Sequence, residues 1–450
     1  MDVLLARPPR RDFREMSLAV PPLGLAYIAA SLRAAGHRVR ILDAAVERWT
    51  WDRFATELRH TRPQVLGLSA MTPVADIAAR AIQVARPHVD HIVLGGPHPT
   101  AVGAAVFQEM PGLDAAVVGE GEDVAPALLD WWSSGASGDP PPGVRVPGGA
   151  FVEADDPDVH SLVQPARDLL PMKRYRYLFA TRPGFATMVT SRGCPFRCSF
   201  CDKSVSGSRW RARSPEDVVD ELEQLVHRHG VGFVNFYDDN FTLHRARVVG
   251  ICEEILRRGL DIEWKCEGRV DGVDLPLLRL MRRAGCRTVA YGVESANPST
   301  LALLRKDVTV DQAPAAFAMT RAAGLRSLAY IILGAPGEDP EAVRHTIRFC
   351  HDIRADYVQF SSLVAMPGTP LFAAHGATDR SVVNPVDADL TRATVTELPA
   401  DVLAGLLREA WGGFYLRPGP MWRLGRDAVA SGSLREGARM AGALGRWLVA

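Results

Sequence analysis

"SRGCPFRCSFCDK", residues 191–203, places Cys194, Cys198 and Cys201 on one short stretch, and no further cysteine arrives until Cys252. Structural zinc sites built from such spacing are closed by four ligands, so this stretch must be read through its missing fourth. His227 and His229 lie on the next predicted helix and His244 beyond the next strand, so zinc would have to recruit a ligand across the fold. Thiolates are soft donors that also suit iron–sulfur clusters. Three thiolates on a four-iron cluster leave one iron open, and an open metal position is what catalysis needs. A substrate or cosubstrate then supplies the fourth ligand. The other four cysteines, Cys252, Cys266, Cys286 and Cys350, stand singly among apolar neighbours, the usual setting of a buried thiol. No disulfide framework is expected.

Around the cysteines, strand and helix patterns alternate. From residue 186, "ATMVTS", "VGFVNFYDDN", "IEWKCEGR", "CRTVAYGVES", "LRSLAYIILG" and "ADYVQFSSLV" read as six strands separated by amphipathic helices. Six strand–helix units in succession predict a parallel barrel, complete or partial, with its site at the strands' C-terminal ends. The cysteines follow its first strand and therefore sit at its mouth.

Upstream, "DVLLA", "HRVRILDA", "QVLGLSA", "HIVLGG" and "LDAAVVGEGE" are short apolar strands alternating with helices. They predict a parallel sheet covered on both faces, a doubly wound α/β domain whose ligands lie beyond the strand C-termini. Ser69 and Thr72 follow the third of these strands, Gly95 and Gly96 the fourth, and Gly119 and Glu120 the fifth. Small residues there let a ligand approach the backbone; Gly95 and Gly96 equally suit a tight turn.

The Pro/Gly/Ser-rich "SGASGDPPPGVRVPGG", residues 134–149, breaks both periodicities. The organisation read is a doubly wound domain over 1–135, a linker over 136–184, a barrel over 185–375 and a mainly helical region over 376–450. Near the end of a helix in that last region, Trp411, Phe414 and Tyr415 read as core packing.

The chain has 450 residues, with Lys+Arg and Asp+Glu both 52, so no basic stripe predicts nucleic-acid binding. No run approaches the roughly 18 apolar residues of a membrane span, and the N-terminal apolar stretch is too short for a signal peptide. A cytoplasmic enzyme is the expectation.

Cys-x3-Cys-x2-Cys, with Phe200 just before the third cysteine and on the first loop of a partial barrel, resembles the radical S-adenosylmethionine (SAM) superfamily. The resemblance implies a [4Fe-4S] cluster on Cys194, Cys198 and Cys201, with SAM chelating the fourth iron and being cleaved to a 5′-deoxyadenosyl radical. It implies SAM contacts from Phe200, from Asp238 and Asp239 in "FYDDNF", from Glu294 and Ser295 in "YGVESAN", and near adenine from Gly334 in "YIILGAPGE". A carboxylate at a strand end is ordinarily solvated, but three such motifs at one end of successive barrel strands argue otherwise.

The order of a doubly wound domain, a barrel and a helical tail is similar to the cobalamin-binding branch of that superfamily. This implies cobalamin between the domains, near Ser69, Thr72, Gly95, Gly96, Gly119 and Glu120. The chain departs from other cobalamin proteins in lacking the Asp-x-His-x-x-Gly signature, the loop after strand one reading "ARPPRRDF". His98 reads as a loop residue rather than a cobalt ligand. Two enzymatic readings follow: cobalamin-dependent methylation of an unactivated centre, or a radical dehydration, ring closure or other rearrangement in which the front domain need not bind cobalamin. A non-catalytic iron–sulfur or zinc protein is the reading of another class.

The implied partners are a small-molecule substrate and an electron donor such as flavodoxin or ferredoxin. No catalytic residue is assigned. Lys203 and Arg269 point toward the barrel mouth but are ordinary choices for surface or ion-pair residues, while Arg192 and Arg197 flank the cysteine loop and could offset a cluster's negative charge.

Overall fold

The computed structural model describes residues 1–9, 20–376 and 394–449. Half of the loop "ARPPRRDF" and part of the expected C-terminal region lie outside them. The front sheet comprises β1 (Asp2–Arg7), β2 (Arg38–Asp43), β3 (Val65–Ser69), β4 (His91–Gly95), β5 (Ala115–Val117) and β6 (Val144–Arg145), in the spatial order β2-β1-β3-β4-β5-β6. The first five are parallel. Strand alternation divides β1 between two cores. Leu4 and Ala6 pack with Phe54, Leu58 and Ile82 on one face, while Val3 and Leu5 pack with Leu25, Leu32 and Leu128 on the other. That double burial is why these strands read as continuous apolar runs.

The sixth strand differs from the sequence expectation. Val144 and Arg145, read as linker, pair antiparallel with Val117 and Ala116 and extend the sheet beyond β5.

The second sheet is built from β7 (Phe185–Met188), β10 (Phe233–Phe236), β11 (Glu263–Gly268), β12 (Cys286–Glu294), β13 (Arg326–Leu333) and β14 (Tyr357–Ser362); between β7 and β10 the chain forms a small ribbon of β8 (Ser191–Arg192) and β9 (Arg211–Ala212). The six strands are all parallel in the order β14-β13-β12-β11-β10-β7, which follows the chain without closing on itself. The result is an open, partial barrel.

Its outer face is apolar: Phe236, Trp264, Cys266, Tyr291 and Ile331 pack against the covering helices. The alternate positions Asn235, Lys265 and Tyr330 face inward, and Lys265 is fully buried. Cys252, Cys266, Cys286 and Cys350 are all buried, as expected of structural thiols.

Helices Ala400–Tyr415, Pro418–Ala430 and Leu434–Val449 lie beside the open edge of the barrel. Phe360 of β14 meets Trp411 and Phe414 edge-on at 6.0 and 6.3 Å. The Tyr415 hydroxyl donates to the Val358 carbonyl at 2.6 Å and accepts from its amide at 3.0 Å, occupying edge groups that no further strand pairs. Trp411, Phe414 and Tyr415 therefore serve packing.

Candidate active site

The cysteine loop is tied at both ends. Ser191 and Arg192 pair with Ala212 and Arg211, so residues 193–210 form a closed excursion at the C-terminal end of β7. Gly193 takes φ +80°, and a Cβ there would stand 2.3 Å from the Arg209 carbonyl oxygen, so only glycine fits the turn.

Lys203 points into the loop, donating to the carbonyls of Cys194 at 3.2 Å and of Phe196. Ser199 fastens the loop to the end of helix Pro298–Leu303: its amide donates to the Leu304 carbonyl at 2.9 Å and its hydroxyl to that of Leu303 at 2.9 Å. Phe200 packs into an apolar cluster with Leu304, Ile332 and Leu371. These contacts hold Cys194, Cys198 and Cys201 half-buried on one scaffold.

Burial, then Asp239 and the two other thiolates, push the Cys201 thiol up to about 12. Burial also raises Cys198, while Lys306 and Arg269 pull it back. Three thiols on one tied loop suit an iron–sulfur cluster, in which each iron takes one thiolate. Metal coordination would strip the thiol protons that burial otherwise retains.

The strand-end residues sort into two kinds. Asp238 is buried and accepts from the Thr190 amide at 2.7 Å, the Thr190 hydroxyl at 2.6 Å and the Ser191 hydroxyl at 2.5 Å. It holds the turn between β7 and β8. Asp239 stands beside the cysteine loop, where desolvation and the neighbouring Asp238 raise its pKa against a hydrogen bond from the Gly193 backbone and the charge of Lys203. Ser295 is likewise buried in a structural network, 3.4 Å from Glu338 and 3.2 Å from Thr346. Glu338 also accepts from the amides of Gly334 and Ala335 at 3.1 and 3.0 Å, joining the ends of β12 and β13.

Glu294 sits at φ +66°, a strained setting for a non-glycine residue. Its carboxylate accepts from Lys306 Nζ at 2.7 Å, both side chains being buried. Burial works to deprotonate Lys306, but Glu294 and Cys198 override it and leave its pKa raised. Lys306 also lies 5.9 Å from the Phe200 ring.

Arg269 stacks on Phe196 at 3.8 Å and donates to the Lys306 carbonyl at 2.9 Å, positioning the segment that carries the lysine. Sequence reasoning missed Lys306 and Glu338. Lys306 is a single charged residue on a connecting segment with nothing in its spacing to mark it, while Glu338 ends the stretch "YIILGAPGE", in which only Gly334 was singled out.

At the front sheet, Ser69, Gly95, Gly96 and Gly119 stand at the C-terminal edge as expected. A Cβ on Gly119 would meet nothing within 4 Å, whereas one on Gly96 would collide with Ser69 Oγ at 2.7 Å, so Gly119 leaves open space and Gly96 packs the turn. Two expected ligand contacts have other partners. Thr72 Oγ1 lies 3.3 Å from His98 Nδ1.

Glu120 receives Arg192 at 2.6 Å and also Arg211, while Arg192 reaches Glu122 at 2.5 Å. Arg192 is therefore an interdomain clamp rather than a cation turned to the cysteines. His98 is buried, its Nε2 lying 3.0 Å from Glu109, which leaves neither ring nitrogen for a metal.

Between the sheets lies a cavity of about 1300 Å³, lined from the front domain by Arg7, Ser69 and Met71, from the barrel by Tyr237, Gln359 and Ser361, and from the C-terminal helices by Leu407 and Leu444. The C-terminal edge of the doubly wound sheet and the barrel both open onto it.

A nucleotide-cofactor type of sheet facing an open barrel with a three-thiol loop defines an enzyme of two cofactors. Residues 188–350 match the radical SAM superfamily model, and residues 13–129 match the B12-binding domain model. An uncharacterized methyltransferase of Pyrococcus horikoshii is 34% identical over 93% of each chain. The anaerobic magnesium-protoporphyrin IX monomethyl ester cyclase of Cereibacter sphaeroides is 32% identical over 80% of this chain and 61% of its own.

The fold matches that of the radical SAM methyltransferase TsrM from Kitasatospora setae, solved with cobalamin and a [4Fe-4S] cluster bound, at TM-score 0.72 and 18% identity over 98% of this chain and all of the other. The chain belongs to the radical SAM superfamily, in the branch that carries a B12-binding domain, and is an enzyme using an iron–sulfur cluster, SAM and cobalamin.

Proposed function

We propose that the protein is a cobalamin-dependent radical SAM methyltransferase acting on a small-molecule biosynthetic intermediate. The observation that carries this is the cysteine loop, held half-buried at the barrel mouth beside the cavity-facing edge of the B12-type sheet. Bound there, the cluster with SAM supplies a carbon-centred radical, and cobalamin supplies a transferable methyl group. Cys194, Cys198 and Cys201 would hold the cluster.

Asp239, beside the cysteine loop and hydrogen-bonded to the Gly193 backbone, is the acceptor for SAM's ammonium. Glu294 keeps one carboxylate oxygen beyond the one Lys306 takes, which suits a ribose hydroxyl, and Lys306 offers the charge that attracts a carboxylate. Gly334 borders the adenine side. Ser69, Gly95, Gly96 and Gly119 would border the cobalamin.

With no imidazole nitrogen of His98 available, the cobalt would take no ligand from it. We place the enzyme in the cytoplasm with a flavodoxin or ferredoxin as electron donor; among the described residues no helix is long and apolar enough to cross a membrane.

The test is anaerobic reconstitution with iron and sulfide. The native protein should show the broad visible absorbance of a [4Fe-4S] cluster and cleave SAM under reduction, and Cys198→Ala should lose both. SAM cleavage undiminished in Cys198→Ala contradicts the assignment.

A further inference from the structure

The large cavity opens to solvent through an apolar rim. Met71, Tyr237, Leu416, Met421 and Leu434 all line it, yet each is 42–62% exposed, which places them where it meets the surface. Trp422 and Val429, 64% and 62% exposed, continue this surface along the helix that carries Met421. Spaced seven and eight positions apart, Val429 and the pair before it share one side of that helix. A contiguous exposed apolar surface of this kind marks a binding face.

The next helix, Leu434–Val449, is two-sided. Ala438, Ala441, Leu444 and Leu448 line the cavity. Arg435 and Arg439, one turn apart on the other side, are exposed and make no ion pair or hydrogen bond among the described residues, while Arg446, also exposed, borders the cavity. One acidic residue, Glu436, accompanies them on that helix. Exposed apolar side chains beside unpaired arginines on a two-sided helix complement an anionic bilayer surface. The cavity, larger than the roughly 300–1,000 Å³ that holds a drug-sized ligand, reaches from this rim to Ser69 of the front sheet and to Tyr237 and Ser362 at the ends of barrel strands.

We propose that the C-terminal helices seat the protein on an anionic membrane surface and that the cavity behind them receives a membrane lipid as the substrate of the methyl transfer. This rests on the methyltransferase reading for its chemistry and on the rim for its location.

The test needs neither cofactor nor turnover. Full-length protein is sedimented with vesicles of phosphatidylglycerol and phosphatidylcholine in equal parts, and with phosphatidylcholine alone. Binding is expected to the anionic vesicles only and to weaken with salt. The Arg435→Gln/Arg439→Gln variant, altered only at exposed positions outside the cavity, is expected to lose roughly 30-fold in partitioning.

The cavity is probed with cis-parinaric acid, whose fluorescence should rise with native protein and rise less with Ala441→Trp, which narrows the cavity. Absence of vesicle binding, binding indifferent to lipid charge, exclusion of parinaric acid, or burial of the rim in a stable dimer overturns the inference. Any of these with SAM cleavage intact leaves the methyltransferase reading standing; vesicle binding and parinaric acid uptake without SAM cleavage would do the reverse.

Discussion

Gly193 and Lys306 show what single residues contribute to the cysteine loop. Adding a methyl group at Gly193 sets it against the Arg209 carbonyl at 2.3 Å in a backbone region that side chains disfavour. Gly193→Ala is therefore expected to lower reconstituted iron content severalfold while far-ultraviolet circular dichroism stays native, because the strain is confined to the loop. Lys306→Met leaves the buried Glu294 carboxylate without its cation. Removing one partner of a buried pair costs about 3–5 kcal/mol, so the melting temperature should fall, and equilibrium dialysis should show SAM binding weakened at least tenfold. Restoration of SAM binding by Lys306→Arg would tie the effect to charge.

The three cysteines were legible because their spacing is itself a chemical statement. Lys306 was not, because its meaning depends on Glu294 and Cys198, which reach it only through the fold. The sequence placed Asp238 and Asp239 together as candidates; hydrogen bonds to Thr190 and Ser191, far off in sequence, separate their roles.

Among the elements, the β8–β9 ribbon joins the cysteine loop to the front sheet. Arg192 and Arg211 leave it side by side and converge on Glu120, 72 and 91 positions away, with their side chains nearly buried. Glu120→Ala strands two guanidiniums in that interface, each keeping one carboxylate neighbour, Glu122 or Asp156. The expected cost is about 3 kcal/mol, read by urea denaturation, with proteolysis between the sheets accelerated. A variant as stable as the native protein would show that the clamp is not needed.

Strands of the two main sheets were legible because burial on both faces, or on one, writes itself as apolar runs. The ribbon and β6 were not. Each strand is two residues long, too short for periodicity, and its pairing is fixed by distant partners. Glu120 was legible at the sheet edge, but its arginine partners were not, for the same reason.

At the scale of the whole molecule, His37, His98, His229 and His351 are spread over both sheets' surroundings, and burial first of all lowers the pKa of each. The unfolded chain, with imidazoles near about 6.5, then binds more protons than the native one just below that value. Stability contributed by the neutral rings is full above about pH 6.5 and is lost as the pH falls toward the native pKa values. The urea midpoint should therefore drop as the pH falls from about 6.5 to about one unit below it, and His98→Gln should flatten the slope; an unchanged midpoint would count against neutral imidazoles in the native protein.

The order of the two sheets was legible from their alternating patterns, and with it the family. The 1300 Å³ cavity was not, since its walls come from three regions that meet only when the C-terminal helices fold beside β14.

Corrinoid content tests the pairing of the two cofactors most directly. Protein purified anaerobically from cobalamin-fed cells and reconstituted with iron and sulfide should hold corrinoid in equimolar amount by its absorbance. Protein that cleaves SAM reductively yet retains no corrinoid would contradict cobalamin-dependent methyl transfer and leave the front sheet a scaffold for some other radical reaction.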